Sequence, residues 1–285
     1  MTEEKKKKAI QAFRLLDDTF MRMVFAHDTE VTQDVLRVIM RISDLEVTEV
    51  TPQTEIKSMG GKSIQLDIFA RDSTGTFYNV EIQRDNKGAS PKRARYNLGQ
   101  VDGIQLKEKQ DPTELADVCV IFITEHDVFK KGAPIYCADR ILSFCTTEGM
   151  QQDEFQDGSH IIYVNCAYPD DGTALGALIS DFRQTDPDKI QMESLRNKVR
   201  YFKESEEGHK LMCRVVEEIF KDELQEGRMR ARQEGRQEGR QEEFFGFIKT
   251  CHEENWSISK MAKFTHHSEE DVISALNELG LSILN

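Results

Sequence analysis

Two acidic residues on neighbouring segments have the type and spacing to hold a cation between them. In SIQLDIFARDSTGTFYNVEIQ, residues 63–83, Asp67 precedes a turn and Glu81 follows it, with Gln83 two positions on. The flanking runs are short and rich in β-formers, and RDSTG between them reads as the bend of a hairpin. A turn centred on Thr74 sets Asp67 opposite Glu81 and Gln65 opposite Gln83. Side chains alternate along a strand, so these four share one face, while Leu66, Ile68, Val80 and Ile82 take the other with the core. Directly opposed residues have Cβ atoms about 4.5–5.5 Å apart, a spacing at which like charges repel. A hard divalent cation offsets that repulsion, and magnesium typically takes one or two carboxylates together with water and phosphate. The bland alternative is a solvated pair on an exposed sheet face, screened by Lys57, Lys62 or Arg84.

Positioning such a pair needs a sheet and something to cover it. Leu16, Phe20, Val24, Val35, Val38 and Ile39 recur at helical spacing, interrupted at 28–30, which predicts two helices joined by a short turn. Leu45, Val47 and Val50 then begin a strand that continues through Ile56 toward Gly60 and Gly61. After the hairpin, Pro91 opens the helical stretch KRARYNLGQVDGIQLKEK. ADVCVIFIT is a continuous apolar run, as expected of a strand buried on both faces, and PIYCADRIL and HIIYVNCAY are further strand candidates. Helices flanking several short strands predict an α/β fold, a mixed central sheet sandwiched between helices.

Beyond Asp170 the chain reads as helical, over about 174–182, 187–203 and 208–243. EGRMRARQEGRQEGRQEE has a period of four, with Gly227, Ala231, Gly235 and Gly239 in one register and Arg228, Arg232, Arg236 and Arg240 in another. Small residues at this spacing suit close helix approach, and hence self-association of the chain, and equally suit a charged tether. From Phe244 two short helices follow, the second capped by Ser268 with Asp271 reaching back, carrying Val272, Ile273 and Leu276, and ending at Gly280. They resemble a helix-turn-helix, but Glu269, Glu270 and Asp271 open the second helix where a DNA reader needs cations, favouring a protein-docking role. The expected organisation is 1–186 as the principal domain, 187–243 as a helical extension and 244–285 as a small terminal unit.

The formal net charge of −13 argues against indiscriminate coating of nucleic acid but leaves room for a local site whose bound cation inverts the field. No apolar stretch approaches the roughly 20 residues of a membrane span. The basic start, MTEEKKKKAIQAF, lacks the apolar core of a signal peptide and reads as a frayed terminus. Six scattered cysteines read as reduced core thiols of a cytoplasmic protein. Cys251 and His252 with His266 and His267 lack the second cysteine of a usual zinc finger.

The Asp-turn-Glu-x-Gln arrangement resembles the D…(D/E)-x-K signature of the PD-(D/E)XK superfamily, and more closely its transposase branch, the recombination-promoting nucleases, where Gln commonly replaces Lys. LDDTFMRMVF, PKRARYNLGQVD and ADVCVIFITEHDVF resemble further blocks of that family, and the likeness covers roughly residues 15–168. The resemblance implies a restriction-endonuclease-like core with a helical C-terminal extension, and metal-dependent phosphodiester hydrolysis on DNA with Mg²⁺ or Mn²⁺. Asp67 and Glu81 would be metal ligands and the Ile82 carbonyl a candidate third. Gln83 falls at the lysine position; a neutral amide orients water but supplies no positive charge to a transition state. Lys92, Arg93 and Arg95, just after the hairpin, are candidates for that charge or for phosphate contacts. Asp18, acting through water, and Tyr96 and Gln100, one helical turn apart, are lesser candidates.

Two functions follow from these residues. The intact Asp67/Glu81 pair favours a metal-dependent DNA endonuclease. The Gln83 departure, the negative charge and the lack of an extended basic stripe favour a catalytically weak nuclease-like fold that binds DNA or assembles with proteins.

Overall fold

The strand β4, Val118–Thr124, is buried at every position, and the sheet is organised around it. The computed structural model describes residues 2–56, 64–85, 88–106 and 110–282; Lys57, Lys62, Gly60 and Gly61 lie outside them. Residues 1–216 and 217–285 form separate compact units. In the first unit, β1 (Val47–Ile56), β2 (Ile64–Asp72) and β3 (Phe77–Gln83) form an antiparallel run. β3 then pairs in parallel with β4, and β4 with β8 (Ser159–Asn165). β5 (Ile135–Ala138) closes the far edge antiparallel to β8, giving the order β1-β2-β3-β4-β8-β5. This is the expected α/β architecture, a mixed sheet with helices on both faces.

Each face has its own core. Ile68, Val80, Ile82, Ile121 and Ile123 point to the side filled by Phe20 and Val24 of α2 (Asp18–Phe25) and Val35 and Leu36 of α3 (Thr29–Met40). Leu178 and Phe182 of α5 (Ala174–Arg183) and Leu195, Val199 and Phe202 of α6 (Glu193–Glu204) complete it. Val118, Val120, Phe122 and Tyr163 face the other way and pack with Ala94, Leu98 and Val101 of α4 (Pro91–Gln105). Ser90 caps α4, accepting from the Arg93 N–H, and Pro91 opens it.

Several expectations are corrected. The lysine-rich start is a capped helix, α1 (Glu3–Ala12), whose Ile10 is fully buried; its few apolar residues hid it from pattern reading. PIYCADRIL is not one strand. It breaks at Asp139-Arg140, where β5 leaves the main sheet and β6 (Ile141–Thr146) begins a separate hairpin with β7 (Gly149–Glu154). The stretch from Pro187 starts as a short 3-10 turn before α6. Leu66 belongs with Ile56 to the α4-side core rather than to that of Ile68, although β2 keeps its register with β1 as far as Ile64. Of the cysteines, Cys119, Cys166 and Cys251 are buried thiols, whereas Cys137 and Cys145 are exposed.

Helix α7 (Glu206–Glu253) contributes Met212 and Val216 to the first unit's core and runs beyond the expected Glu243. In the second unit its Ile248 and Cys251 pack with α8 (Ile258–Thr265) and α9 (Glu269–Glu278) around Met261, Val272 and Leu276. Ser268 and Asp271 form the expected capping box. Among the described residues no helix is long and apolar enough to cross a membrane.

Candidate active site

The hairpin adopts the expected register: Ile68 lies opposite Val80, Phe69 opposite Asn79 and Arg71 opposite Phe77. Asp72 fixes the turn, its Oδ1 accepting from the Thr74 and Thr76 N–H groups at 2.9 Å. Main-chain pairing stops one step before Asp67 and Glu81. There a side chain replaces it, Asp67 Oδ2 accepting the Ile82 N–H at 3.2 Å. The parting strands open a cleft of about 640 Å³ between the ends of β2 and β3 and helices α2 and α4, with Asp67 and Gln83 among its walls.

Glu81 is fully buried beside it. Its Oε2 meets Arg93 Nη2 at 3.2 Å, while Oε1 is buried with no hydrogen-bond partner. Arg93 is held in turn by the Gly88 carbonyl at 3.1 Å and lies over the Phe122 ring at 6.0 Å. Burial, and then the charge of Asp67, raise the Glu81 pKa; Arg93, the nearby Asn79 amide and the Asp67 N–H oppose the shift without cancelling it. The Asn79 amide is close enough to act on this carboxylate, yet makes no hydrogen bond of good geometry. The pKa of Asp67 is raised less, by burial and by Asp18, against the Ile82 N–H, Arg22 and Arg93. Two carboxylates that resist ionisation side by side are a poor arrangement for an empty protein and a good one for a cation.

The remaining candidates divide by position. Asp18, Gln83, Arg93 and Tyr96 line the cleft; Lys92, Arg95 and Gln100 do not. Lys92 and Arg95 are exposed on α4 and Gln100 is half-buried. Gln83 lies so close to Gly88 that a Cβ there would stand 1.7 Å from Oε1, so this glycine makes room for the amide. Two cleft residues are additions, Arg22 and Asn97, and Arg84, expected only as a screening charge, also lines it. Arg22 forms an ion pair with Asp18 one turn earlier on α2, and that spacing within LDDTFMRMVF was the available signal. Arg84 bridges Asp17 at 2.8 Å and Glu125 at 3.0 Å, and Arg14 also holds Glu125 at 3.0 Å.

No group of three or more His, Cys, Asp or Glu among the described residues is arranged to hold a metal. The donor set is therefore two carboxylates and whatever main chain adds. In an extended strand the N–H and C=O of one residue project to the same side, so the Ile82 carbonyl shares the edge on which its N–H meets Asp67. Carboxylates plus a carbonyl are oxygen donors suited to Mg²⁺ or Mn²⁺.

Residues 15–168 match the family model of the PD-(D/E)XK nuclease family transposases. The chain belongs to this family. No curated protein and no solved structure matches it. The span of the PD-(D/E)XK match runs from the residue before α2's entry loop to the residues after β8, and so contains every wall of the cleft.

Proposed function

We propose that the chain is a Mg²⁺- or Mn²⁺-dependent DNA endonuclease of the transposase and recombination-promoting type. The carrying observation is that the buried Glu81 lies against Asp67, which with Arg22, Arg84 and Arg93 walls the cleft. Asp67, Glu81 and the Ile82 carbonyl hold the ion. A divalent cation supplies acidity to water and offsets the charge of the scissile phosphate. Arg93 and Arg22 give the phosphate the positive charge that Gln83 cannot, and the Gln83 amide orients the attacking water. Lys92 and Arg95, exposed further round α4, contact the flanking phosphates. The free cysteines suit a reducing, cytoplasmic setting.

Incubating the full chain and Asp67→Ala with supercoiled plasmid and Mg²⁺ or Mn²⁺ tests this reading. Metal-dependent nicking by the wild type and at least about a hundredfold loss in the variant are expected. Equal cleavage by both removes the assignment. No cleavage with any metal favours the second reading, a DNA-binding or assembly module, which the neutral Gln83 packed on Gly88 supports. Self-association through 227–239 belongs to the same proposal: Cβ atoms at Gly227, Gly235 and Gly239 would meet nothing within 4 Å in the chain. Light scattering showing a monomer would remove it.

A further inference from the structure

Asn79 stands two residues before Glu81 on β3, on the same face of the sheet. It is fully buried, and neither Oδ1 nor Nδ2 has a hydrogen-bond partner. Among the described residues no other buried side chain leaves two polar atoms unpartnered. Phe69 opposite it on β2 and Val120 alongside on β4 are apolar and offer nothing. A buried amide kept for packing alone would be satisfied in the resting fold or replaced by an apolar residue of the same shape. The nearest complement along its own strand is Glu81, whose Oε1 is an acceptor without a donor. Oε2, by contrast, already meets Arg93 on the cleft side.

We propose that Asn79 is a positioning residue for Glu81, its Nδ2–H closing onto Oε1 when the carboxylate holds a divalent cation, so that Oε2 stays turned to the cleft. The inference rests on the metal-site reading above. Asn79 touches neither DNA nor cation in this scheme. It fixes the rotamer of a ligand, as carboxylate ligands of metals are commonly fixed by a hydrogen bond from behind.

The experiment is Mn²⁺ titration calorimetry on the full chain, wild type beside Asn79→Leu and Asn79→Ala, with thermal melts of each metal-free protein. Both variants are expected to bind Mn²⁺ about 10- to 100-fold more weakly. Metal-free Asn79→Leu is expected to melt no lower than wild type, because it removes two unpartnered polar atoms and no hydrogen bond. Plasmid cleavage by either variant should recover at saturating Mn²⁺ with the KM for DNA unchanged. Wild-type Mn²⁺ affinity in both variants overturns the inference and leaves the metal site standing. A lowered metal-free melting temperature in both, with cleavage that excess Mn²⁺ does not restore, overturns it in favour of a packing role. A wild type that binds no Mn²⁺ overturns the metal site, and this inference with it.

Discussion

Asp67 Oδ2 accepts the Ile82 N–H at 3.2 Å, so the side chain of one strand does for the other what a main-chain carbonyl would do in a continued ladder. The carboxylate that opens the cleft thereby also ties its two walls together. An asparagine at this position keeps an oxygen to accept the same N–H while removing the charge.

That substitution separates the site's charge from its scaffold. Burial and the charge of Asp18 push Asp67 up to about 6, and burial and the charge of Asp67 push Glu81 up to about 8. A carboxyl whose folded pKa lies above its unfolded one holds its proton longer when folded, so stability falls as pH rises from about 4, the unfolded value, through the raised folded values. Metal-free Asp67→Asn is therefore expected to exceed wild type by about 1–2 kcal/mol at pH 8.5 and to match it near pH 4. Mg²⁺ should raise the wild-type melting temperature at pH 8.5 and leave the variant's unchanged. Melts at the two pH values, with and without Mg²⁺, check this; a variant less stable than wild type at pH 8.5 contradicts it.

The turn that sets the register depends on Asp72. Its Oδ1 takes Thr74 N–H, Thr74 Oγ1–H and Thr76 N–H, and its Oδ2 takes the Tyr78 hydroxyl at 2.8 Å. Burial pushes this carboxyl up, but the Thr74, Tyr78 and Thr76 hydrogen bonds outweigh it and hold it below the ordinary range. Here the sign is opposite to that of the site pair: the stabilisation is present above the unfolded pKa and is lost as pH falls through the folded one. Asp72→Ala is expected to cost about 2–3 kcal/mol at pH 7, with the deficit shrinking below pH 3. Urea unfolding at both pH values measures it, and a deficit independent of pH would show that the carboxylate charge plays no part.

The hairpin was readable because the polar turn residues RDSTG mark the bend and alternation fixes which face each neighbour takes; that sufficed to bring Asp67 and Glu81 together. β4 was readable as an unbroken apolar run. The β6–β7 hairpin was not, since β7 is exposed at every position and carries no period of burial. The roles of Arg22 and Asn79 were also hidden. Arg22 reaches the cleft only through the packing of α2 against the sheet, and an asparagine in a strand looks ordinary until its burial without partners is seen.

Helix α1 was misread for a related reason, and its attachment gives the last prediction. Lys203, near the end of α6, is almost fully buried and donates to the carbonyls of Gln11 at 3.0 Å, Phe13 at 2.7 Å and Thr185. The Gln11 side chain returns a bond to the Lys203 carbonyl at 3.1 Å, and the ammonium lies 5.5 Å from the Phe20 ring. One cation thus fastens the end of α1 and the entry to α2, the helix that presents Asp18 and Arg22 to the cleft. Lys203→Met retains most of the aliphatic volume but leaves three carbonyls without their donor, a loss of about 2–4 kcal/mol. Hydrogen exchange should show faster opening of 3–25 than of β4, because the released contacts belong to α1 and α2 while the sheet keeps its own. Uniform exchange across both regions would mean that Lys203 supports the whole fold equally rather than this one helical face of the site.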